Sequence, residues 1–420
     1  MANSNKDIFV YADWKGLTEA VLVGILNVSQ LRGKEIFSFE YSSDGLNLPG
    51  IQSIDPDLQL FAGQQYLSDN KTNFGIFMDS SPDRWGRVLM KRREAILARK
   101  NNRKAVALME SDFLLAVYDQ NRMGALRFKL NRDGEFLSHG QELAAPPWTL
   151  LRDLEYASLQ LEDDHITDDN EELKWLNVLM APGSSLGGAR PKASVTDPNG
   201  NLWIAKFPSI NDDIDVGAWE MVVHELANKS GINVAPAMVG RFSGKHHTFL
   251  TSRFDRTNQT ERIHFASAMT LLGFTDGADY QSGASYLDLA GLIQRKSGGA
   301  NESLKELWKR ILFNVMVKNT DDHLRNHGFL LSPTGWDLSP AYDMNAVATG
   351  TGLTLNISED DNSLDIDLVL EVSTYFRVKL SEAKELIAEI GKCISRWRSV
   401  AAKYKLTSRE QDIMAAAFEK

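Results

Sequence analysis

The segment 303–338 allows few folds, because a helical pattern, a polar loop and a hairpin pattern follow one another there. Its helical part, SLKELWKRILFNVMV, carries an apolar stripe at spacings of three and four, formed by Leu304, Leu307, Trp308, Ile311, Leu312 and Val315. The polar part, KNTDDHLRN, contains the adjacent aspartates Asp321 and Asp322. The last part, GFLLSPTGWDL, is typical of two strands joined by a turn. So many polar groups beside a probable strand cost stability unless they are solvated, paired or used, and the spacing of the residues must indicate which of the three applies.

The spacing within this loop favours one kind of chemistry. Asp321 and Asn326 are separated by four residues, and Asp343 follows the hairpin in SPAYDMN. Protein-kinase active sites have this order, in which the first aspartate accepts the proton of the substrate hydroxyl and the other two residues hold Mg²⁺ at the nucleotide phosphates. The spacing predicts Asp321 as the catalytic residue and Asn326 and Asp343 as the metal ligands. Asp322 is left over, and we expect it to be solvated or paired with Arg325.

The residues upstream supply the rest of a nucleotide site in the expected order. The strand patterns ASVTD and NLWIAKF, joined by Pro-Asn-Gly, place Lys206 near a strand end, where it would pair with phosphates. Glu220 in the next helical pattern is its expected ion-pair partner. The loop GSSLGGARPK before them offers backbone N–H groups, at Gly187 and Gly188 among others, that can approach phosphates closely. Each feature alone is more typical of a surface side chain or a flexible connection, so only their joint order favours the site.

Length and cysteine content limit the class of protein. A chain of 420 residues exceeds the size of a single hydrophobic core, so two or three domains are expected. The single cysteine, Cys393, excludes an internal disulfide framework and a cysteine zinc cluster, and it fits a reducing cytoplasm. The sequence shows neither a transmembrane apolar run of about 18 residues nor the basic-then-apolar pattern of a signal peptide. We therefore expect a cytoplasmic protein without a membrane partner.

The charge is unevenly distributed. A formal net charge of −10 argues against non-specific nucleic-acid binding by the whole chain. The segment 84–104 is nevertheless strongly basic, and the segment 153–172 is acidic. One interpretation is a solvated helix face and an acidic surface loop, and the other is a basic patch that touches DNA or an acidic partner.

Further patterns predict the remaining elements. Strands are expected over 8–13, 20–28, 35–41, 122–130 and 246–256, and a C-terminal helix over 381–400. In SSPDRWGRVLMKRREAILARK, Ser81 is the expected N-cap with Pro82 at the first helical position. The expected buried face of this helix consists of Trp85, Val88, Leu89, Ile96 and Leu97. The proline-marked junction AAPPWTL predicts a domain boundary.

Several of these motifs together resemble the HipA family of bacterial serine/threonine kinases, the toxins of HipA–HipB toxin–antitoxin pairs. They are GSSLGGARPK, WIAKFPS, SRFDR, RIHFASAMTLLG, NTDDHLRNHGFL and LSPAYDM, with SSPDRWGR and RMGALRF in the N-terminal part. The resemblance covers nearly the whole chain. It implies an α+β, bilobal, protein-kinase-like fold with an added N-terminal α/β subdomain and a mainly helical C-terminal lobe. The expected domains are 1–148 for the subdomain, 149–256 for the N-lobe and 257–420 for the C-lobe.

The resemblance also implies roles for individual residues. It assigns catalysis to Asp321, the metal to Asn326 and Asp343, and ATP to Lys206. The family's S-x-x-G-A-x-x-K loop, which carries an inhibitory autophosphorylated serine, falls on Ser185, Gly188, Ala189 and Lys192, with Ser184 as the neighbouring alternative. The SRFDR segment would contact adenine through the backbone near Phe254, flanked by Arg253 and Asp255. The residues His323 and Arg325 complete the set expected at the nucleotide.

Cofactors and partners follow from the same resemblance. It implies ATP and Mg²⁺, a HipB-like helix-turn-helix antitoxin, and operator DNA bound together with that antitoxin, so that the kinase is a co-repressor. The expected substrate is a protein, with an aminoacyl-tRNA synthetase as one example from the family. Two alternatives remain open: a small-molecule phosphotransferase, and a DNA-associated co-repressor with little kinase activity.

Overall fold

The computed structural model describes residues 5–48, 51–68, 71–140, 144–163, 168–180, 190–258 and 260–419. The chain forms two compact units. The first contains residues 1–211, 242–245 and 252–266, and the second contains residues 212–241, 246–251 and 267–420. The three-part division expected from the sequence stays a prediction. Within the described residues, no helix combines the length and the apolar character needed to span a membrane.

An antiparallel sheet forms the core of the first unit. Its strands are β1 (Lys6–Ala12), β2 (Val21–Leu31), β3 (Lys34–Tyr41), β4 (Gln64–Tyr66) and β5 (Leu126–Lys129), in the order β4-β3-β2-β1-β5. In β1, the side chains of Ile8, Val10 and Ala12 are fully buried while those between them are partly exposed, which is the alternation of a strand with one covered face. The strands predicted around β1, β2, β3 and β5 are confirmed, with shifted ends.

The first unit also contains six α-helices among its described residues. They are α1 (Ser43–Leu46), α2 (Gly75–Asp79), α3 (Arg84–Lys100), α4 (Glu110–Ala116), α5 (Leu151–Glu162) and α6 (Asp169–Met180). Phe77 of α2 packs on the sheet, with ring centroids 5.7 Å from Phe39 and 6.0 Å from Phe128. These aromatic contacts fix α2 on the buried face of β3 and β5.

The start of α3 differs from the prediction. The N-cap is Asp83, whose carboxylate accepts a hydrogen bond from the Gly86 N–H at 2.8 Å, so the expected cap at Ser81 with Pro82 in the first turn was wrong. A carboxylate is a strong cap at a helix N-terminus, and it comes two residues after the serine. Val88 is 49% exposed and does not belong to the buried face, whereas Trp85, Leu89 and Ile96 do.

The basic and acidic segments of the sequence bind each other within the first unit. Arg92 of α3 pairs with Glu172 of α6, and Arg99 pairs with Asp169 at 2.5 Å. Lys100 of α3 donates to the side chain of Asn170 at 2.6 Å. These side chains contact each other and do not form a separate solvated helix face and acidic surface loop, while contact of the basic segment with DNA or an acidic partner stays a prediction.

The first unit also contains a β-hairpin near residue 200. Its strands are β6 (Lys192–Thr196) and β7 (Leu202–Lys206), which pair antiparallel, as the two strand patterns around Pro-Asn-Gly predicted. Lys192 lies directly opposite Lys206 in this register. Residues opposite one another in an antiparallel pair project to the same face, so the hairpin presents two lysine side chains on one side.

The remaining elements, from α7 onward, are mainly helical. They are α7 (Val216–Lys229), β8 (Ala237–Gly240), β9 (Thr248–Ser252), β10 (Phe265–Ser267), α8 (Ala268–Leu272), α9 (Tyr286–Lys296), α10 (Ala300–Val317), β11 (Gly328–Ser332), β12 (Gly335–Leu338), α11 (Ile366–Glu371), α12 (Leu380–Ile394), α13 (Trp397–Lys403) and α14 (Ser408–Phe418). The strand expected over 246–256 is shorter, and the helix expected over 381–400 is interrupted between Ile394 and Trp397.

Helix α10 is the central element of the second unit. All six residues of its predicted apolar stripe are fully buried. Trp308 within this stripe also donates its indole N–H to the backbone oxygen of Val369 in α11 at 2.9 Å. The β11–β12 hairpin lies close to the end of α9: Gly335 has φ +145°, and a Cβ there would lie 2.1 Å from the Lys296 oxygen. This turn therefore requires glycine.

Candidate active site

The candidate catalytic loop begins where α10 ends. Lys318, the C-cap, has φ 51°, in the left-handed region that ends a helix. The N–H of the next residue, Asn319, donates back to the Asn314 oxygen at 2.9 Å, so the chain turns sharply after the last helical residue. The buried stripe of α10 thus fixes where the loop of residues 319–327 starts.

Asp321 lies at the accessible position of this loop. It is exposed, whereas Asp322 and Asn326 are buried. Partial desolvation raises the pKa of the Asp321 carboxyl, the His323 imidazole opposes this, and the charges of Asp343 and Asp322 add to it. A carboxylate with a raised pKa that remains accessible is suited to accept a proton from a hydroxyl group.

Asp322 is neither solvated nor paired with Arg325, so both expectations for it were wrong. It is 3% exposed, and one of its carboxylate oxygens accepts three hydrogen bonds. The donors are the Tyr286 hydroxyl at 2.5 Å, the Asn314 amide at 2.8 Å and His327 Nε2 at 2.9 Å. Burial raises the pKa of Asp322, but the charge and hydrogen bond of His327 and the hydrogen bond from Tyr286 outweigh it, so the pKa lies below its ordinary value. Asp322 therefore joins α9 and α10 to His327, the residue directly before β11.

The Asn326 side chain binds back to the backbone of Asp321 within the loop. Its side-chain nitrogen donates to the backbone oxygen of Asp321 at 3.0 Å, and its own N–H donates to the His323 oxygen at 2.8 Å. The first of these bonds uses the amide nitrogen, so the amide oxygen is the atom that would bind a cation. Four intervening residues are the length that lets this side chain reach back to the aspartate.

Asp343 follows the β11–β12 hairpin in the sequence and lies near the loop of residues 319–327. Its φ of 57° places its backbone in the left-handed region, and its carboxylate accepts a hydrogen bond from the Asn345 side chain at 3.4 Å. Its charge raises the pKa of Asp321, which means that the two carboxyl groups lie within electrostatic range. The hydroxyl of the preceding Tyr342 donates to the Arg325 oxygen at 2.6 Å and so joins this segment to the catalytic loop.

The donor set fits magnesium. Asn326 and Asp343 offer amide and carboxylate oxygens, which are the hard ligands that Mg²⁺ takes while keeping several waters. Among the described residues there is no group of three or more His, Cys, Asp or Glu side chains that could hold a metal on its own. A site with two protein oxygens would therefore rely on phosphate oxygens and water for the remaining ligands.

The other predicted nucleotide residues in the loop are placed around Asp321. The His323 N–H donates to the Asp321 oxygen at 3.0 Å. Arg325 reaches the Asp276 carboxylate at 3.5 Å, an exposed ion pair. Both residues therefore lie in the candidate catalytic loop, and their contact with nucleotide stays a prediction.

The predicted nucleotide-binding residues upstream of the loop differ in how far they are buried and in their contacts. Lys206 is half-buried at the end of β7, and Lys192 is buried with its Nζ 3.3 Å from the Asp83 carboxylate. The predicted partner of Lys206, Glu220, is buried in α7, which belongs to the second unit. Their ion pair stays a prediction. Ser184, Ser185, Gly187, Gly188 and Ala189 lie outside the described residues.

The SRFDR segment forms a buried ion-pair network. Arg253 binds Asp255 at 2.6 Å and also donates to the Asn121 oxygen at 2.6 Å. Asp255 accepts a further hydrogen bond from the Gly124 N–H at 2.8 Å, while Phe254 is half-buried. Burial raises the pKa of Asp255, but Arg253 and Arg256 outweigh it and lower the pKa to about 2. These side chains join the segment to residues 121–124, and their predicted place at adenine stays a prediction.

Sequence reasoning missed Tyr286 and Asn314 as parts of the site. Both are buried and both bind Asp322. Tyr286 lies 36 residues before Asp322, so no local spacing indicates it. Asn314 does carry a signal, because it is an amide in an otherwise apolar part of α10, where a polar side chain requires a partner.

Comparisons with known proteins identify the family and the fold of the chain. The family model of the HipA-like C-terminal domain matches residues 184–397, slightly more than half of the chain. The serine/threonine-protein kinase toxin HipA of Shewanella oneidensis is 27% identical over 146 residues, which are 30% of this chain and 33% of that protein. The solved structure of the Shewanella oneidensis HipA in complex with HipB and operator DNA aligns with a TM-score of 0.65 and 17% identity, covering 98% of this chain and 95% of that one.

Fold and site together define an α+β protein with a kinase-like fold, as the sequence predicted. The chain belongs to the HipA family, and the resemblance drawn from its motifs is confirmed. The family match includes Asp321, Asn326 and Asp343. The aligned stretch spans about a third of the curated toxin's length, and the alignment with the solved HipA describes the fold.

Proposed function

We propose that the protein is an ATP- and Mg²⁺-dependent serine/threonine protein kinase and the toxin of a HipA–HipB type pair. The observation that carries this proposal is the contrast between an exposed Asp321 with a raised pKa and the buried residues that hold its loop. Membership of the HipA family and the toxin name of the Shewanella oneidensis relative support it. A cytoplasmic location belongs to the same proposal.

The roles of the residues follow from their surroundings. Asp321 would orient the substrate hydroxyl and accept its proton. Asn326 would hold the backbone of Asp321 through its nitrogen and face the metal with its oxygen, and Asp343 would supply the carboxylate ligand. Bound Mg²⁺ would neutralise the charge on the transferred phosphoryl group. Lys206 would bind the nucleotide phosphates, with Glu220 as its ion-pair partner.

Self-phosphorylation on the loop before β6 is the proposed regulation. A phosphate on Ser185, or on Ser184, would add about −1.5 to −2 charge to a loop that must approach anionic nucleotide phosphates. The repulsion would displace the loop and switch the site off. Ser185→Ala is expected to keep full nucleotide affinity after incubation with ATP and Mg²⁺, and loss of affinity in this variant equal to that in the wild type would contradict the switch.

The partners proposed are a HipB-like antitoxin, operator DNA bound with it, and a protein substrate. The solved complex that contains HipB and operator DNA supports the first two, because the chain shares its fold with the HipA in that complex. The basic segment on α3 is a poor candidate for DNA contact, since Arg92, Arg99 and Lys100 already bind α6. An aminoacyl-tRNA synthetase is a substrate to test first.

Intact mass after incubation with ATP and Mg²⁺ tests the proposal. The wild type should gain one phosphate, and Asp321→Ala should gain none. Peptide mapping of residues 183–192 should locate the phosphate and separate Ser184 from Ser185. If wild-type protein that starts unmodified and binds ATP gains no phosphate, the small-molecule phosphotransferase or the co-repressor becomes the better interpretation.

A further inference from the structure

A chain of hydrogen bonds connects the catalytic loop to Asp343 through the interior of the second unit. The Asn314 amide nitrogen donates to Asp322 at 2.8 Å, and its oxygen accepts from the Asn319 amide at 3.1 Å. The Asn319 oxygen accepts from the Asn345 N–H at 3.2 Å, and the Asn345 side chain donates to Asp343 at 3.4 Å. Four bonds therefore lead from the neighbour of the catalytic aspartate to the expected metal ligand.

Asn314 is the branching point of this chain. It is 2% exposed, its side chain uses a donor and an acceptor at the same time, and its backbone oxygen accepts from the Asn319 N–H at 2.9 Å. The side-chain amide supplies both the donor and the acceptor that these two bonds use, whereas an ionised carboxylate would lack the donor and an apolar side chain would lack both. Because Asn314 lies in the last turns of the buried α10, its side chain is held in place. It can therefore fix the position of the loop of residues 319–327 and, through Asn319, of the segment that contains Asp343 and Asn345.

Asn319 extends the connection to the second segment. It is fully buried, so its two hydrogen bonds are not exchanged with water. Its oxygen binds the N–H of Asn345, which lies two residues after Asp343. Buried side-chain hydrogen bonds of this kind make the structure around them more rigid.

We propose that Asn314 and Asn319 are positioning residues that hold Asp321 and Asp343 at their working separation. The proposal rests on the proposed kinase function for its catalytic consequence, and on the donor set of Asn326 and Asp343 for its consequence on metal binding. Neither asparagine touches a reacting atom. Both act through the segments they join, and misplacement of reacting groups by about 1 Å can cost about 100-fold in rate.

The test compares Asn314→Ala and Asn319→Ala with a matched control. Asn356→Ala is the control, because Asn356 is also buried, at 1% exposure, and its side chain donates to the Tyr280 oxygen, outside both segments. Each protein is titrated with Mn²⁺ in the presence of ATP and followed by electron paramagnetic resonance, which reads metal binding independently of activity. Phosphate incorporation from ATP is measured at saturating ATP and metal, and thermal unfolding checks that each variant is folded.

We expect Asn314→Ala and Asn319→Ala to weaken Mn²⁺ binding and to slow phosphate incorporation by about 10- to 100-fold each. The double variant should resemble the single variants, because both side chains belong to one network. Asn356→Ala should stay within about threefold of the wild type in both readouts, as expected for a residue outside the network.

The outcomes separate this proposal from the kinase proposal. Wild-type Mn²⁺ affinity in Asn314→Ala, or an equal loss in Asn356→Ala, would overturn the positioning role. Weakened Mn²⁺ binding in Asn314→Ala, with no phosphate incorporated by any protein, would support the positioning role and contradict the kinase. A wild type that binds no Mn²⁺ with ATP would contradict both.

Discussion

Two adjacent aspartates in the candidate catalytic loop have opposite surroundings. Asp321 is exposed and its pKa is raised, whereas Asp322 is buried, accepts three hydrogen bonds and has a lowered pKa. Spacing to Asn326 selected Asp321 as the candidate catalytic residue, but it gave no information on Asp322. One of the hydrogen bonds that Asp322 accepts comes from Tyr286, which lies 36 residues away in the sequence and is brought close only by the fold.

Removal of the Asp322 carboxylate should destabilise the second unit. In Asp322→Ala the Tyr286, Asn314 and His327 donors lose their common acceptor in the interior. We expect the free energy of unfolding to fall by about 3–5 kcal/mol, the range for a broken buried charge network. Urea denaturation measures it. Asp321→Ala is the control, and its exposed side chain should change stability by no more than about 0.5 kcal/mol. Equal losses in the two variants would contradict the difference in their surroundings.

His264 predicts a particular dependence of stability on pH. It is 1% exposed and stacks on Trp14 with centroids 5.3 Å apart, and burial lowers its pKa from 6.5 to about 3. Because the folded pKa is depressed, the unfolded chain takes up a proton below pH 6.5 while the folded chain stays neutral until about pH 3. The unfolding free energy therefore decreases as the pH falls from 6.5 to about 3. Above pH 6.5, His264 is neutral in both states and causes no change of stability with pH.

His264→Phe should flatten the acid side of the stability profile. We expect the slope between pH 6 and pH 4 to decrease by up to about 1.4 kcal/mol per pH unit, the contribution of one proton. Urea unfolding at several pH values measures it. His139→Gln, at an exposed position, should keep the wild-type slope. If His264→Phe also keeps that slope, His264 does not stay neutral in the folded protein.

At the scale of elements, the pairing of α3 with α6 is set by charge. Glu172 is 9% exposed in its ion pair with Arg92, whereas in the outer pair Arg99 is 56% and Asp169 35% exposed. Glu172→Ala should lower the free energy of unfolding by about 1–2 kcal/mol, between the ranges for exposed and buried pairs. Asp169→Ala should cost less than about 1 kcal/mol, because exposed pairs are screened by solvent. Chemical denaturation compares the two variants, and a larger loss for Asp169→Ala would contradict this ranking.

Local patterns predicted most elements, and the errors have local causes. The stripe of α10 and the hairpins β6–β7 and β11–β12 followed from periodicity and turn residues. The N-cap of α3 was placed two residues early because both Ser81 and Asp83 are capable caps. The charge pairing of α3 with α6 could not be read from the sequence, since two segments of opposite charge are equally compatible with separate solvated faces.

At the scale of the whole molecule, motif order predicted the fold class and the family. The loop, the strand with Lys206, the helix with Glu220 and the Asp-x4-Asn loop occur in the order expected for this family, and the HipA-like C-terminal domain then matched residues 184–397. The hydrogen bonds that surround the site were not predictable, because Asn314, Asn319 and Asn345 belong to different segments and have no common spacing. Sequence therefore indicated the candidate reacting groups, and the fold shows which hydrogen bonds hold the candidate catalytic loop and Asp343.

The rate of phosphate incorporation from ATP and Mg²⁺ by Asp321→Asn tests the kinase proposal most directly. The variant keeps the shape of the side chain and loses the proton acceptor, so the rate should fall by about 10²- to 10⁴-fold, the range for general-base catalysis. Asp276→Asn is the control, because Asp276 is an exposed aspartate paired with Arg325 in the same region, and its rate should match the wild type. A rate for Asp321→Asn within about threefold of the wild type, well below the loss expected for a general base, would contradict the catalytic assignment.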